Sequence, residues 1–179
     1  MLAFTFIAPT LYVCTYICGV NLETHLHQDV FTGDSQKLHL HILVVARQLE
    51  LLARRILQPH GITPPQYNVL RILRGQKGQP IAVQSLAARM VNPASNTSRI
   101  IDKLVNRGWA DRQVCPTDRR RANVLITEAG LSLLEELDTP MSGLFSNTMA
   151  GLSERQLTTL NAGLAQVLDN TDGELEQQS

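Results

Sequence analysis

The spacing of apolar residues predicts helices over much of the chain. Over residues 36–58, apolar positions recur three and four apart with charged residues between them, which is the pattern of an amphipathic helix. These positions are Leu40, Leu43, Val44, Leu51 and Ile56. Gly61 is suited to end this helix, and Thr63 followed by Pro64 is suited to begin the next one. The run IAVQSLAARMV, residues 81–91, predicts a further short helix.

Residues 95–108, SNTSRIIDKLVNRG, predict another helix, which Gly108 ends. Its apolar set falls on one side: Thr97, Ile100, Ile101, Leu104 and Val105. Polar residues at helical spacing line the other side: Ser95, Asn96, Arg99, Lys103 and Asn106. Two short helices joined by a tight break, the second polar and basic on its free face, are typical of a helix-turn-helix. The pattern therefore predicts a helix that enters the major groove of DNA.

The two runs that follow, WADRQVC and ANVLIT, predict a pair of strands joined by a loop at 116–121. A hairpin that follows the second helix of a helix-turn-helix is a wing. Narrow minor grooves concentrate negative potential and attract inserted arginine, so the loop residues Arg119, Arg120 and Arg121 are candidate DNA contacts. Asp118 is placed to orient Arg120 by a charge-assisted hydrogen bond.

The end of the chain again has a helical pattern. A long helix is expected from Thr127, with a Thr-x-x-Gly start, and a final helix from Ser153 to about Leu168, where SERQ satisfies the capping-box pattern. The polar tail NTDGELEQQS is expected to fray. The fold class is therefore mostly α, in the α+β sense, with a winged helix-turn-helix.

Charge is segregated along a chain whose formal net charge is zero. Residues 71–121 carry 11 Lys and Arg against 3 Asp and Glu, a net of +8, whereas residues 122–179 carry 1 against 9, a net of −8. A basic middle followed by an acidic end indicates one region that meets a polyanion and one that does not. Double-stranded DNA is the expected polyanion.

Residues 1–19 are apolar and uncharged, and they do not fit the rest of the pattern. A secretory signal would carry Lys or Arg before its apolar core, and this segment has none. We interpret it as an uncertain N-terminal extension outside the fold, with a membrane anchor as the alternative. The three cysteines, Cys14, Cys18 and Cys115, do not form a disulfide framework, so a reducing, cytoplasmic compartment is expected.

Neither a catalytic set nor a metal site is predicted. The chain has no Gly-rich phosphate loop, no GxSxG and no HExxH. The pairs His25/His27 and His39/His41 are two residues apart, which on a helix points them to different faces. We therefore expect no enzyme activity, no metal and no cofactor. Cys115 lies among basic residues that could lower its pKa, so a redox-responsive regulator is kept as an alternative.

The order of these motifs resembles the MarR family of winged helix-turn-helix transcription regulators. The resemblance rests on ITPPQYNVLRILRG, SLAARM, SNTSRIIDKLVNRGWADRQ and DRRRANVLITEAG, and it covers about residues 36–168. It implies a single MarR-like domain over residues 20–179, with a DNA-binding lobe at 63–126 and dimerisation helices at 36–58 and 127–168. It also implies an obligate homodimer. The chain departs from the family pattern in residues 1–19 and at the Asn92-Pro93 break.

The function expected from the residues and the resemblance together is a DNA-binding transcriptional regulator. It would bind a pseudo-palindromic operator, with repression relieved by a possible small-molecule effector. The predicted DNA contacts are Ser95, Asn96, Thr97, Ser98, Arg99, Lys103, Asp118, Arg119, Arg120 and Arg121. The alternatives are a winged-helix module for protein–protein assembly and a membrane-tethered sensor that uses residues 1–20 as its anchor.

Overall fold

The computed structural model describes residues 21–91, 96–114 and 122–177 of the chain. The N-terminal segment, the Asn92-Pro93 break, Cys115 and the predicted wing residues 118–121 therefore lie outside the described residues. The described residues form two units, the first ending at Leu52 and the second starting at Ala53. The single domain predicted over residues 20–179 stays a prediction.

The first unit contains a short helix α1, Leu22–Leu26, and the first part of α2, Asp34–Leu57. Asn21 caps α1, because its Oδ1 accepts the backbone N–H of Thr24 at 2.9 Å. Lys37 pairs with Glu23 and so joins α2 to α1. The Lys37 ammonium donates to the charged carboxylate and thereby lowers the pKa of Glu23.

α2 agrees with the helix predicted over residues 36–58, whereas α1 was not predicted. A helix of five residues is too short to show a hydrophobic period, so periodicity cannot find it.

The second unit contains all the strands and the remaining helices. After a 3₁₀ turn at Gln58–His60 these are α3 Pro64–Gly75, β1 Ile81–Ala82, α4 Val83–Ala87, α5 Thr97–Asn106, β2 Ala110–Val114, β3 Ala122–Ile126, α6 Glu128–Thr148 and α7 Glu154–Gln177. The predicted fold class is confirmed, since the described residues are mostly helical with a small antiparallel sheet. Within those residues, no helix is both long and apolar enough to cross a membrane.

Side-chain caps fix the helix starts predicted from the sequence. At α3, Gln66 reaches back so that its Oε1 accepts the backbone N–H of Thr63 at 2.9 Å. At α7, Gln156 does the same for Ser153, also at 2.9 Å. At the 3₁₀ turn before α3, Gly61 adopts φ 68°, a left-handed conformation that glycine reaches without strain. Local sequence therefore determines these boundaries.

The sheet has three antiparallel strands in the order β1-β3-β2. Ile81 pairs with Val124, and on the other edge of β3 Ala110 pairs with Ile126. The prediction of one helix over residues 81–91 was wrong, because residues 81–82 form β1 and the helix covers only Val83–Ala87. Two residues are too few to show an alternating pattern. They form a strand because they pair with β3, which lies about 40 residues later in the chain.

The hydrophobic core lies entirely in the second unit. Its fully buried side chains come from α2, α3, α4, α5, β3 and α6: Leu57, Val69, Leu70, Leu73, Leu86, Ile101, Leu104, Val124, Leu134 and Leu137. α3 is central to this core, because it packs against α5, β3 and α6. The elements that carry the predicted DNA contacts are therefore built on one continuous apolar base.

A bidentate ion pair joins α3 to α6 at the edge of this core. Arg74 Nη1 and Nη2 donate to the two carboxylate oxygens of Asp138 at 2.8 and 3.0 Å. These hydrogen bonds favour the charged carboxylate and lower the pKa of Asp138. Both side chains are partly exposed, so water screens the pair and limits its contribution to stability.

α7 is longer than predicted and contributes no buried residue. It was expected to end near Leu168 with a frayed tail, but it continues to Gln177, so that prediction was wrong. The extension has no proline, and Thr171 bonds its hydroxyl to the carbonyl of Leu168 at 2.7 Å. Along the helix, Leu160, Leu164 and Leu168 are 49%, 48% and 60% exposed.

Candidate nucleic-acid interface

The helix α5 has one buried face and one exposed face. Its first turn begins at Asn96, whose carbonyl accepts the N–H of Ile100 at 3.1 Å. The buried side chains are Thr97, Ile100, Ile101 and Leu104. They pack into the core together with residues of α3 and β3, so the orientation of α5 about its own axis is fixed.

Asn96, Arg99, Lys103 and Asn106 are exposed on the other face, as predicted, and Ser98 is exposed as well. Arg99 and Lys103 are four residues apart and so lie one turn above each other. Among the described residues, no carboxylate lies within ion-pair distance of either side chain. A helix face with hydrogen-bonding groups and two cations that no described carboxylate neutralises is suited to an anionic, hydrogen-bonding surface.

Thr97 does not share this face, because it is only 5% exposed. Its hydroxyl donates to the thioether sulfur of Met90 at 3.6 Å, which links the start of α5 to the end of the preceding turn. Thr97 therefore belongs to the buried set, where its periodicity also placed it. Its predicted DNA contact stays a prediction, and the burial of the side chain does not favour it.

Arg112 on β2 is paired with Asp102 on α5, Nη2 to Oδ1, at 2.9 Å. Arg112 is not among the predicted DNA contacts, and this ion pair occupies its guanidinium. The bridge also joins the helix to the first strand of the hairpin.

Arg107, at the end of α5, has structural contacts. Its guanidinium lies over the ring of Trp109 at 5.3 Å from the centroid. It also approaches Gly61 so closely that a Cβ at position 61 would be 3.2 Å from its Nη1. Arg107 continues the basic run in the sequence, but these contacts hold it against Trp109 and Gly61.

The hairpin strands pair along their full described length, from Ala110 with Ile126 to Val114 with Ala122. The predicted contacts Asp118, Arg119, Arg120 and Arg121 fall between these paired strands in the chain but lie outside the described residues, as does Ser95. Their predicted roles stay predictions.

One contact between α3 and the segment after α4 was not predicted from the sequence. The side-chain carbonyl of Asn68 on α3 accepts the backbone N–H of Val91 at 3.1 Å. Val91 is the last described residue before the break that precedes α5. No local pattern could reveal a bond between residues 23 positions apart, because only the packing of α3 brings them together.

The titratable residues offer no metal centre in the parts of the chain that the structure covers. There, no three His, Cys, Asp or Glu side chains cluster closely enough to hold an ion. The predicted absence of a metal therefore stays a prediction for the whole chain.

Comparisons with known proteins agree with this geometry. A family model described as MarR family matches residues 60–121, which include α3, α4, α5 and β2. The chain is 28% identical over 144 residues to the transcriptional repressor MprA of Escherichia coli strain K12, covering 79% of this chain and 81% of that protein.

Two solved structures of MarR-family regulators have a similar fold. AbsC, a MarR family transcriptional regulator from Streptomyces coelicolor, is 25% identical with a TM-score of 0.70, covering 81% of this chain and 99% of that one. A cysteine-to-serine mutant of E. coli MarR, solved with operator DNA, is 25% identical with a TM-score of 0.69, covering 78% and 99%. The chain is therefore similar to MarR-family transcription regulators both in sequence and in fold. The MarR resemblance inferred from the motifs is therefore confirmed, as is the winged helix-turn-helix.

Proposed function

We propose that this MarR-family protein is a sequence-specific DNA-binding transcriptional regulator that reads DNA with α5. The observation that carries the proposal is the exposed face of α5, where Arg99 and Lys103 stand one turn apart on a helix anchored by its buried face. Arginine and lysine donate to guanine O6 and N7 in the major groove or to phosphates. The E. coli MarR neighbour solved with operator DNA supports this use of the fold.

The protein acts as a homodimer on a pseudo-palindromic operator. α7 supports this part of the proposal, because it is a 24-residue helix with no buried residue among its described side chains. Leucines at 160, 164 and 168 form an exposed stripe, and a second copy of the chain would remove it from water. Two copies related by a two-fold axis present two α5 helices to two half-sites.

The wing residues complete the DNA contacts in this proposal. Arg119, Arg120 and Arg121 reach the minor groove or its phosphates, and Asp118 orients Arg120. Ser95, Asn96 and Ser98 add hydrogen bonds at the start of α5. The formal net charge of +8 over residues 71–121 supports an electrostatic contribution from the whole segment.

The regulatory outcome is repression, with release by a small-molecule effector that changes the separation of the two α5 helices. The name of the E. coli relative, a transcriptional repressor, supports repression. The relatives are regulators of transcription, which supports a protein without enzyme activity that works in the cytoplasm, where bacterial DNA lies.

The first experiment is selection of bound sequences from a random DNA pool with the purified protein. We expect enrichment of an inverted repeat, and affinity for it that falls steeply with salt. Arg99→Ala is expected to cost about 1–3 kcal/mol of binding free energy and to relax the preference at particular base pairs. Arg155→Ala, which removes an exposed arginine from α7, is the matched control. Failure to enrich any sequence, or equal losses in the two variants, would contradict the proposal.

A salt titration separates the wing from α5. Arg120→Ala is expected to weaken cognate and scrambled DNA alike and to reduce the salt slope by about one phosphate contact. Asp118→Ala is expected to weaken binding too, although it removes a negative charge, because Arg120 loses its orientation. Tighter binding by Asp118→Ala would show that the arginines act only through net charge.

A further inference from the structure

We propose that Thr127 is a positioning residue whose hydroxyl locks the end of α5 to the start of α6, so that α6 dictates where the DNA-reading helix stands. The inference rests on the proposed function, since it concerns how α5 is held for DNA. Thr127 contacts no DNA in this scheme. It acts through the backbone of the residues that follow α5.

α5 ends in a glycine-dependent cap that leaves a carbonyl for this purpose. Gly108 has φ 72°, its N–H donates to the carbonyl of Val105 at 2.9 Å, and the N–H of Trp109 donates to the carbonyl of Leu104 at 3.0 Å. This pair of hydrogen bonds is a Schellman motif, which closes the last turn of the helix. The carbonyl of Gly108 then points to Thr127.

The Thr127 hydroxyl is used in both directions at once. It donates to the carbonyl of Gly108 at 2.6 Å and accepts the backbone N–H of Gly130 at 3.2 Å. The second bond caps α6, while the first reaches the end of α5, so one oxygen joins the two helices. The backbone N–H of Thr127 adds a bond to the carbonyl of Trp109 at 3.2 Å.

Gly130 brings the two backbones into direct contact. A Cβ at this position would lie 2.2 Å from the carbonyl oxygen of Trp109 and 2.8 Å from Cγ1 of Ile126, so no side chain fits. Thr127 and Gly130 at the start of α6, with Gly108 and Trp109 after α5, form a joint between the two helices. This joint explains why α6 starts with the pattern Thr-x-x-Gly.

The surroundings of the joint leave little room for independent movement. Ala110 and Ile126, which pair across the base of the hairpin, are 3% and 8% exposed. On either side, Leu104 of α5 and Leu134 of α6 are fully buried in the same core. A tilt of α6 is therefore carried to α5 by close-packed atoms and by the hydrogen bonds of Thr127.

Three substitutions separate the joint from the helix cap. Thr127→Ser keeps both hydrogen bonds, Thr127→Val removes both, and Thr127→Asp keeps an acceptor for the cap but has no proton to donate to Gly108. Each purified full-length variant is titrated with the selected operator, with scrambled DNA, and with operators whose half-site spacing is changed by one base pair. The thermal unfolding temperature of the same samples shows whether the N-terminal cap of α6 is kept.

We expect Thr127→Ser to behave like the wild type. Thr127→Val and Thr127→Asp should both lose on the order of tenfold in the ratio of operator to scrambled affinity, since α5 is held less strictly. When the half-site spacing is changed by one base pair, both variants should also lose less operator affinity than the wild type does. Thr127→Asp keeps the cap of α6 and should therefore unfold at a higher temperature than Thr127→Val, although both lose the bond to Gly108.

A Thr127→Asp variant with the wild-type affinity ratio and spacing profile would overturn the inference, as would a Thr127→Ser variant that behaves like Thr127→Val. Failure of the proposed function is distinct from both, because the wild type itself would then not distinguish the operator from scrambled DNA.

Discussion

The helices α5 and α7 are both amphipathic, yet they differ in how many of their side chains are buried. α5 has only 10 residues and buries four of them in the core of the second unit. α7 has 24 residues and buries none among its described side chains. The shorter helix packs against the core of its own chain, whereas the longer helix has a stripe of exposed leucines. Helix propensity therefore does not decide which helix is anchored, since tertiary packing provides most helix stability.

The largest expected effect is on the anchored helix. Leu104→Ala deletes a fully buried side chain of α5 and leaves a cavity, so the free energy of unfolding is expected to fall by about 2–5 kcal/mol. Urea unfolding followed by circular dichroism measures this loss. An equal loss for Leu168→Ala on α7, measured at a protein concentration low enough to give monomers, would remove the distinction between the two helices.

The next effect concerns the leucine stripe of α7. Leu164→Lys places a charge at the centre of the stripe, so the dissociation constant of the dimer is expected to rise by on the order of tenfold to a hundredfold. Ala162→Lys adds the same charge to the opposite side of the helix and is the control. Sedimentation equilibrium over a range of concentrations measures both. A monomeric wild type, or equal effects of the two lysines, would contradict the assignment of this stripe to dimerisation.

The smallest expected effect concerns the ion pair that joins α6 to α3. Asp138→Asn removes a partly exposed bidentate partner of Arg74 and is expected to cost about 0.2–1 kcal/mol of stability. The pKa of Asp138 is lowered in the folded protein, so its contribution is present above its ordinary pKa, about 4, and is lost as the pH falls through the lower folded value. Unfolding curves between neutral and acidic pH measure this.

The stabilities of wild type and Asp138→Asn should therefore differ near neutral pH and converge in acid. A difference that grew as the pH fell would have the wrong sign for this pair. Salt should shrink the neutral-pH difference, because both side chains are partly exposed.

Most helices could be predicted because their signals are local. The caps at Thr63 and Ser153 and the glycines at 61 and 108 mark boundaries within a few residues of themselves. The exposed face of α5 could also be predicted, since a period of 3.6 residues determines which side chains share a side. The ion pair of Arg112 with Asp102 has no such local signal, because it joins a strand to a helix.

What could not be predicted depends on atoms far apart in the chain. β1 is a strand only because β3 pairs with it, and Asn68 positions Val91 only because α3 packs beside the turn. The order of the helix-turn-helix elements, their apolar faces and the resemblance to the MarR family all follow from local patterns in the sequence. The packing of Arg107 on Trp109 and the bond by which Thr127 joins α5 to α6 do not follow from such patterns, because they depend on the relative placement of whole elements, which no local periodicity encodes.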